Sequence, residues 1–266
     1  MKVADVHVHI YPDKISAKAA QSIGDFYNIK MGEKDGNVSR LLRRMETCDI
    51  ERCVVHSVAV RPHTVASIND FISRTCNENP QFVGFMTLHQ DTPDIEAEID
   101  RACGLGLKGI KLHPDTQAVN MDDERLMRAY EIAEKRHLPL IIHCGDYRYD
   151  YSHPRRLKRI LHEFPDLVVN AAHFGGWSVQ DYALEFLEDE RCFLDMSSSM
   201  RFLGPRRTRE LVEAYGYDRI MFGSDFPMWT PGDELERFRA VGFSEAALER
   251  MCWHNAERFL GTSLEA

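Results

Sequence analysis

Pro139-Leu140-Ile141-Ile142-His143-Cys144-Gly145 is a short, unbroken apolar run that ends abruptly on a histidine, a cysteine and a glycine. A strand with one wet face alternates apolar with polar residues. A run without alternation suits a parallel strand covered on both faces. Similar runs lie on either side of this one. Val3–Ile10, Cys53–Val60, Phe82–Leu88 and Leu107–His113 precede it, and Leu167–His173, Cys192–Ser198 and Arg219–Asp225 follow, making eight. The stretches between them have helical periodicity. Asp122–Arg136 opens on a capping carboxylate and places Leu126, Ala129, Tyr130 and Ala133 on one stripe. Pro154–Phe164 carries Leu157, Ile160 and Leu161 on one face behind a first-turn proline, and Asp181–Glu188 and Arg206–Tyr215 read the same way. Strands alternating with helices predict right-handed crossovers and a parallel sheet. Eight such units favour a closed (β/α)8 TIM barrel, residues 1–266 forming one domain, over an open sheet with extra edge strands.

Two segments stand outside the repeat. Tyr11–Gly36 is a long connection after strand 1, and a connection of that length commonly serves as a lid. Ser244–Leu260 reads as a closing helix packed on the barrel exterior.

Composition narrows the function. The chain has 266 residues and a formal net charge of −9, which argues against the basic footprint that nucleic acid selects. The basic run Arg201–Arg209 is interrupted by apolar residues, Gly204 and Pro205, and reads as a solvated helix start. No apolar stretch reaches the length of a membrane span, so no membrane partner is expected. Met1 leads straight into a strand without an export signal, which makes the cytoplasm the expected compartment. The seven cysteines are scattered without Cys-x-x-Cys spacing and are expected as reduced, mostly buried thiols.

His7 and His9 are two apart on one strand and project from the same face. A lone histidine there would be satisfied by backbone partners. Two adjacent imidazoles in one lumen are harder to satisfy without a cation, because protonated rings repel and neutral rings need donors. The other strand ends strengthen this reading: strand 5 ends at His143, strand 6 at His173 and strand 8 at Asp225. Each places a metal-competent side chain at the carboxyl end of an apolar strand, where barrel active sites assemble. Imidazoles with one carboxylate suit Zn²⁺ best, with Mn²⁺, Fe²⁺, Co²⁺ or Ni²⁺ as alternatives.

With Asp5-Val6-His7-Val8-His9, Gly109-Ile110-Lys111-Leu112-His113-Pro114, Phe222-Gly223-Ser224-Asp225-Phe226-Pro227 and Asn255-Ala256-Glu257-Arg258-Phe259-Leu260 in place, the chain resembles the amidohydrolase superfamily of metal-dependent barrels. The details are similar to its amidohydrolase-2 branch, which contains hydrolases and non-oxidative decarboxylases of aromatic or unsaturated acids. The resemblance implies that His7, His9, His143 and Asp225 hold one metal. It implies that His173 is a general acid/base beside it or a ligand of a second ion. Some members bridge two metals with a carbamylated strand-4 lysine. Lys111 lies in that region but is not aligned with the bridging position, so a second metal is not expected, and Lys111 is taken as a cation for a substrate carboxylate or an ion-pair partner.

Around the rim, His113, Tyr147 and Arg148 are the expected substrate contacts, with a structural hydrogen bond or a solvated loop as the plainer role. Ser198, Ser199 and Trp229 are candidate pocket residues, while His56 and His89 read as core or rim histidines. His63, His137, His162 and His254 fall in expected loops or helices and read as structural. Cys144, next to a ligand on its strand, should point away from the lumen. The expected partner is a small, acidic substrate, with homo-oligomerisation left open. The leading expectation is hydrolysis of a small amide, lactone or ester-like bond by a metal-activated water, with Asp225 as base and His173 aiding the leaving group. The alternative is metal-dependent non-oxidative decarboxylation, and the third reading is a barrel that binds a metal or ligand without turnover.

Overall fold

The sheet runs in sequence order through β1 (Val3–His9), β2 (Ile50–His56), β3 (Phe82–Thr87), β4 (Gly109–Leu112), β5 (Leu140–Ile142), β6 (Val169–Ala171), β7 (Phe193–Asp195) and β8 (Ile220–Met221). All seven neighbouring pairs are parallel. In this computed structural model, which describes residues 1–265, β8 returns to β1 and closes the barrel. Val6 N–H donates to Phe222 O at 3.0 Å, Asp225 N–H to His7 O at 2.8 Å and His9 N–H to Phe226 O at 2.8 Å.

The outer helices are α1 (Asp13–Tyr27), α2 (Val38–Glu46), α3 (Val65–Glu78), α4 (Ile95–Gly104), α5 (Pro114–Gln117) and α6 (Glu124–Lys135). They continue with α7 (Pro154–Glu163), α8 (Gln180–Leu187), α9 (Met200–Tyr215), α10 (Pro231–Ala240), α11 (Glu245–Glu249) and α12 (Asn255–Leu260). Their caps are those the sequence supplies. Asn37, Asp94, Asp123, Thr230 and Ser244 each accept a backbone N–H from the first turn of the helix they precede. Two layers of core follow from the pleat. Val3, Val8, Ile110, Leu140, Ile142, Leu194 and Phe222 pack outward against the helices. Ala4, Val6, Phe85, Ile141 and Met221 form an inner cluster.

On β1 the alternation shifts. Asp5 pairs with Cys53 and Val8 with Val55, so three steps on β1 oppose two on β2. The extra residue is a bulge, and it lets both the Ala4–Val6 floor and the His7–His9 pair face the interior.

The connection after β1 is present and carries a helix of its own, α1, which lies across the mouth of the barrel. The closing helical segment is also present, and it packs on both sides: Met251 and Cys252, with Ala247 and Leu248, join the outer core. Trp253, Ala256 and Phe259 pack into the inner cluster with Ala4, Val6, Phe85, Ile141 and Met221 and seal the floor. Strands β5 to β8 are shorter than the apolar runs suggest. His173 (φ 61°), Ser198 (φ 55°) and Asp225 (φ 59°) have left-handed backbone just beyond the regular strands. All seven cysteines are free, and no helix among the described residues is long and apolar enough to cross a membrane.

Candidate metal centre

The strand ends deliver His7, His9, His113, His143, His173 and Asp225 to one cavity at the carboxyl end of the barrel. His7 Nε2 and His9 Nε2 stand 3.6 and 3.5 Å from Asp225 Oδ1. Donors held about 2.0–2.1 Å from a common ion in tetrahedral geometry are themselves about 3.4 Å apart, so each of these two imidazoles is spaced to share one with Asp225.

The outward nitrogens fix which lone pairs face inward. His7 Nδ1 lies 2.9 Å from Asp195 Oδ2, so the carboxylate takes the Nδ1 hydrogen and leaves Nε2 with its lone pair. His173 Nδ1 lies 2.9 Å from Ser197 O, which likewise leaves Nε2 as the acceptor. His143 Nε2 lies 3.2 Å from Asp115 Oδ2, and its Nδ1 sits 3.0 Å from His173 Nε2. Burial, reinforced by the neighbouring rings, depresses the pKa of His9 and of His143 far below the imidazole range. Burial also brings His173 down to about 4, with Asp225 opposing it. The rings are therefore neutral near pH 7, and a cation rather than a proton is the natural occupant among them. The residues fit a divalent ion, and His9 Nδ1 is left with no partner at all.

Asp225 is held from behind. Trp229 Nε1–H donates to Ser198 Oγ at 2.8 Å, and Ser198 O–H donates to Asp225 Oδ2 at 2.5 Å. The candidate pocket residues Ser198 and Trp229 thus orient the carboxylate, and Trp229 packs under the rim with Tyr27 and Met228. Ser199 is buried and donates to Ser197 O.

Lys111 is fully buried beneath the cavity, its Nζ 2.9 Å from His7 Nε2. Burial lowers it to about 8, with Asp225 and Asp195 pulling the other way. It shares the His7 lone pair that an ion would take and does not line the cavity. His113 does line it, stacked on His143 with centroids 3.9 Å apart and planes 7° from parallel. Arg148 and Tyr147 lie elsewhere. Arg148 pairs with Asp146, donates to Phe26 O at 2.5 Å and stacks on Phe26 and Tyr27, so it ties the end of α1 to the loop after β5. Tyr147 is 74% exposed. His56 lies against His9 and His7 with both ring nitrogens unpartnered, and Cys144 points away from the lumen into the outer core.

Sequence reasoning misses three residues of this centre. Asp195 is a charge at the end of Phe193-Leu194-Asp195, and a lone carboxylate in an apolar strand is itself a signal, because burying one requires partners. Asp115, in the turn after β4, meets His143 only through the fold. Tyr27 ends α1 and brings its hydroxyl 2.9 Å from His113 Nε2 and 3.4 Å from His143 Nε2. Ile23, Tyr27 and Met31 form the cover, with Tyr11, Trp177 and Met228 completing the walls.

The fold and these groups define a (β/α)8 barrel with a buried cluster of histidines and carboxylates that could hold a metal at the carboxyl end of its strands. The family model described as amidohydrolase matches residues 4–262, and the chain belongs to that enzyme family. A curated relative, 2-amino-3-carboxymuconate-6-semialdehyde decarboxylase of Dictyostelium discoideum, is 24% identical, with 73% of this chain aligned. The match spans 65% of that relative's length. Among solved structures, a dihydroxybenzoic acid decarboxylase from Polaromonas with bound manganese superposes with a TM-score of 0.76 at 17% identity, covering 98% of this chain and 97% of that one. A Pseudomonas putida protein provisionally named 2-pyrone-4,6-dicarboxylic acid hydrolase gives 0.68 at 17% identity, covering 99% and 98%. At these identities the two structures speak for the fold alone.

Proposed function

We propose that the chain is a metal-dependent non-oxidative decarboxylase of a small aromatic or unsaturated acid, with His7, His9, His143 and Asp225 holding one divalent ion. The observation that carries this reading is the division of the cavity. Its floor is the histidine and Asp225 set, while its cover and walls are Tyr11, Ile23, Tyr27, Met31, Trp177 and Met228. A floor of this kind, with a cation, suits a carboxylate, and aromatic walls suit the flat remainder of an unsaturated acid. The Trp177 indole N–H has no partner and is free to meet a polar group on that acid. A largely apolar cover limits bulk water over the site, which suits the release of neutral CO2.

When bound, the ion supplies a Lewis acid beside the carboxylate. The chain's own residues do the rest. The bond between the ring or vinyl carbon and the carboxylate breaks, the electron pair stays on that carbon, and a proton taken up from solvent and relayed through Asp225 or the His173 Nε2 lone pair replaces CO2. The decarboxylase relative supports this reading, and the bound manganese of the Polaromonas structure makes Mn²⁺ as good a candidate as Zn²⁺. The hydrolase reading keeps one observation, the fold shared with the Pseudomonas putida protein. Turnover of hydroxybenzoic and unsaturated dicarboxylic acids, and of lactones and amides, separates the two. CO2 with a product one carboxylate shorter is expected. A new carboxylate without CO2 would assign hydrolysis instead.

A further inference from the structure

We infer that the cavity takes an acid with a single carboxylate, whose remaining groups, lying under the α1 cover, are uncharged. This rests on the reading of the site as one for a small aromatic or unsaturated acid, and adds which of those acids fit.

Among the described residues, no lysine or arginine lines the cavity. On the floor, a divalent ion set against the Asp225 carboxylate leaves one positive charge, which one substrate carboxylate offsets. Above the floor stand Tyr11, Ile23, Tyr27, Met31, Trp177 and Met228, whose polar groups are two hydroxyls and one indole N–H. His113, the ring with no part in holding the ion or moving the proton, is uncharged by its geometry. Its Nδ1 accepts the Thr116 N–H, so its single hydrogen is on Nε2, 2.9 Å from the Tyr27 hydroxyl oxygen.

Two cations lie close by, and both are engaged. Arg148 holds the buried Asp146 through Nε and Nη2, at 3.0 and 2.6 Å, and gives Nη1 to Phe26 O. Lys111 lies beneath the floor and outside the cavity lining, its Nζ 2.9 Å from His7 Nε2. Asp195 takes the other nitrogen of the same ring, also at 2.9 Å, and offsets that charge from across it.

A second carboxylate under the cover would therefore have no counter-charge, and the chain's own acids show what burying one requires. Glu33 is paired with Arg40 and Arg44, Asp122 with Arg156 and Arg159, and Asp146 with Arg148. Asp195 has no arginine and instead accepts from Asn170, Ser197, the His173 N–H and the His7 ring. Glu234, with neither oxygen hydrogen-bonded and Arg237 3.6 Å away, is pushed by burial up to about 8. The cover supplies neither an arginine nor a set of donors like that around Asp195.

Calorimetric binding to the Mn²⁺-loaded protein tests this with two flat acids of nearly the same shape. 3-Nitrobenzoate and isophthalate differ in whether the second planar group on the ring is neutral or anionic. 3-Nitrobenzoate should bind about 100-fold more tightly, because a buried carboxylate without a counter-charge is strongly disfavoured. Equal affinities would overturn the inference and leave the acid-binding reading standing, whereas no binding of either acid would remove both. Ile23→Arg places a cation at a half-buried position of the cover and supplies the second arm. With its thermal midpoint confirming the fold, this variant should bind isophthalate about tenfold more tightly than wild type does, and 3-nitrobenzoate no better. An unchanged ratio of the two affinities would mean that shape rather than charge excludes isophthalate, which also overturns the inference.

Discussion

Asp195 Oδ2 accepts the Nδ1 hydrogen of His7 across 2.9 Å, joining the end of β7 to β1 through the middle of the barrel. Asp195 is completely buried, and it also accepts from Asn170 Nδ2 at 2.8 Å, His173 N–H at 3.2 Å and Ser197 N–H at 3.1 Å. Burial alone would raise its pKa, but His7, His173 and Ser197 hold it well below the ordinary carboxylate range. It is a carboxylate near neutral pH, as a group that takes the His7 Nδ1 hydrogen must be.

Replacing Asp195 by leucine should therefore cost more than a ligand-orienting bond. Metal affinity should fall about 10- to 100-fold, and the backbone N–H groups of His173 and Ser197 should lose their acceptor. Asp195→Asn restores some of the acceptors and should recover part of the stability. Calorimetric midpoints with and without Mn²⁺ separate the two effects, because loss of metal affinity shrinks the Mn²⁺-induced shift while loss of the acceptors lowers both midpoints.

Asp225 and His173 divide the remaining work. Asp225→Asn leaves an amide that cannot carry a proton at neutral pH, so kcat should fall by about 10²–10⁴. His173→Asn should abolish turnover while leaving metal content almost unchanged, as expected of a proton carrier. Metal analysis and turnover on the same preparations check both. A fall in metal content in His173→Asn would make His173 a ligand.

Most of this centre was legible because its chemistry falls at the ends of apolar runs. His7, His9, His143, His173 and Asp225 each stand where an unbroken strand pattern stops, and the structure brings all five to one cavity. The length of the connection after β1 suggests a lid, but the helix that forms it was not legible, for a physical reason. The buried face of α1 is Ser16, Ala20, Gly24 and Tyr27, mostly small residues that leave little hydrophobic periodicity. Gly24 reads as a helix breaker, yet a Cβ there would come within 3.0 Å of Ile29 O and Met31 Cγ, so close packing of the α1 end requires it. Arg148 was placed at the rim as a substrate contact, whereas Asp146 and Phe26 O engage its guanidinium. Asp115 and Asp195 lie beside histidines distant in sequence, His143 and His7, and only the barrel brings them together.

Glu234 gives a stability prediction independent of the site. It lies in the first turn of α10, fully buried, with neither carboxyl oxygen hydrogen-bonded and Arg237 Nη1 3.6 Å away. Burial raises its pKa from 4.5 to about 8, against the pull of Arg237. The folded chain then keeps a proton that the unfolded chain releases, so this group's contribution to stability is full below pH 4.5 and is lost as pH rises to about 8. Glu234→Gln should match wild type near pH 5 and be more stable near pH 9 by roughly 2–4 kcal/mol. Urea unfolding at the two pH values measures the difference.

The strand-1 pair and its partners should hold a divalent ion. Elemental analysis of protein purified without chelators tests it most directly, comparing wild type with the His7→Ala/His9→Ala double variant. Wild type should carry about one transition-metal ion per chain and the double variant almost none, because removing two of four donors leaves too few to compete with water. Equal metal content in the two proteins would contradict the account.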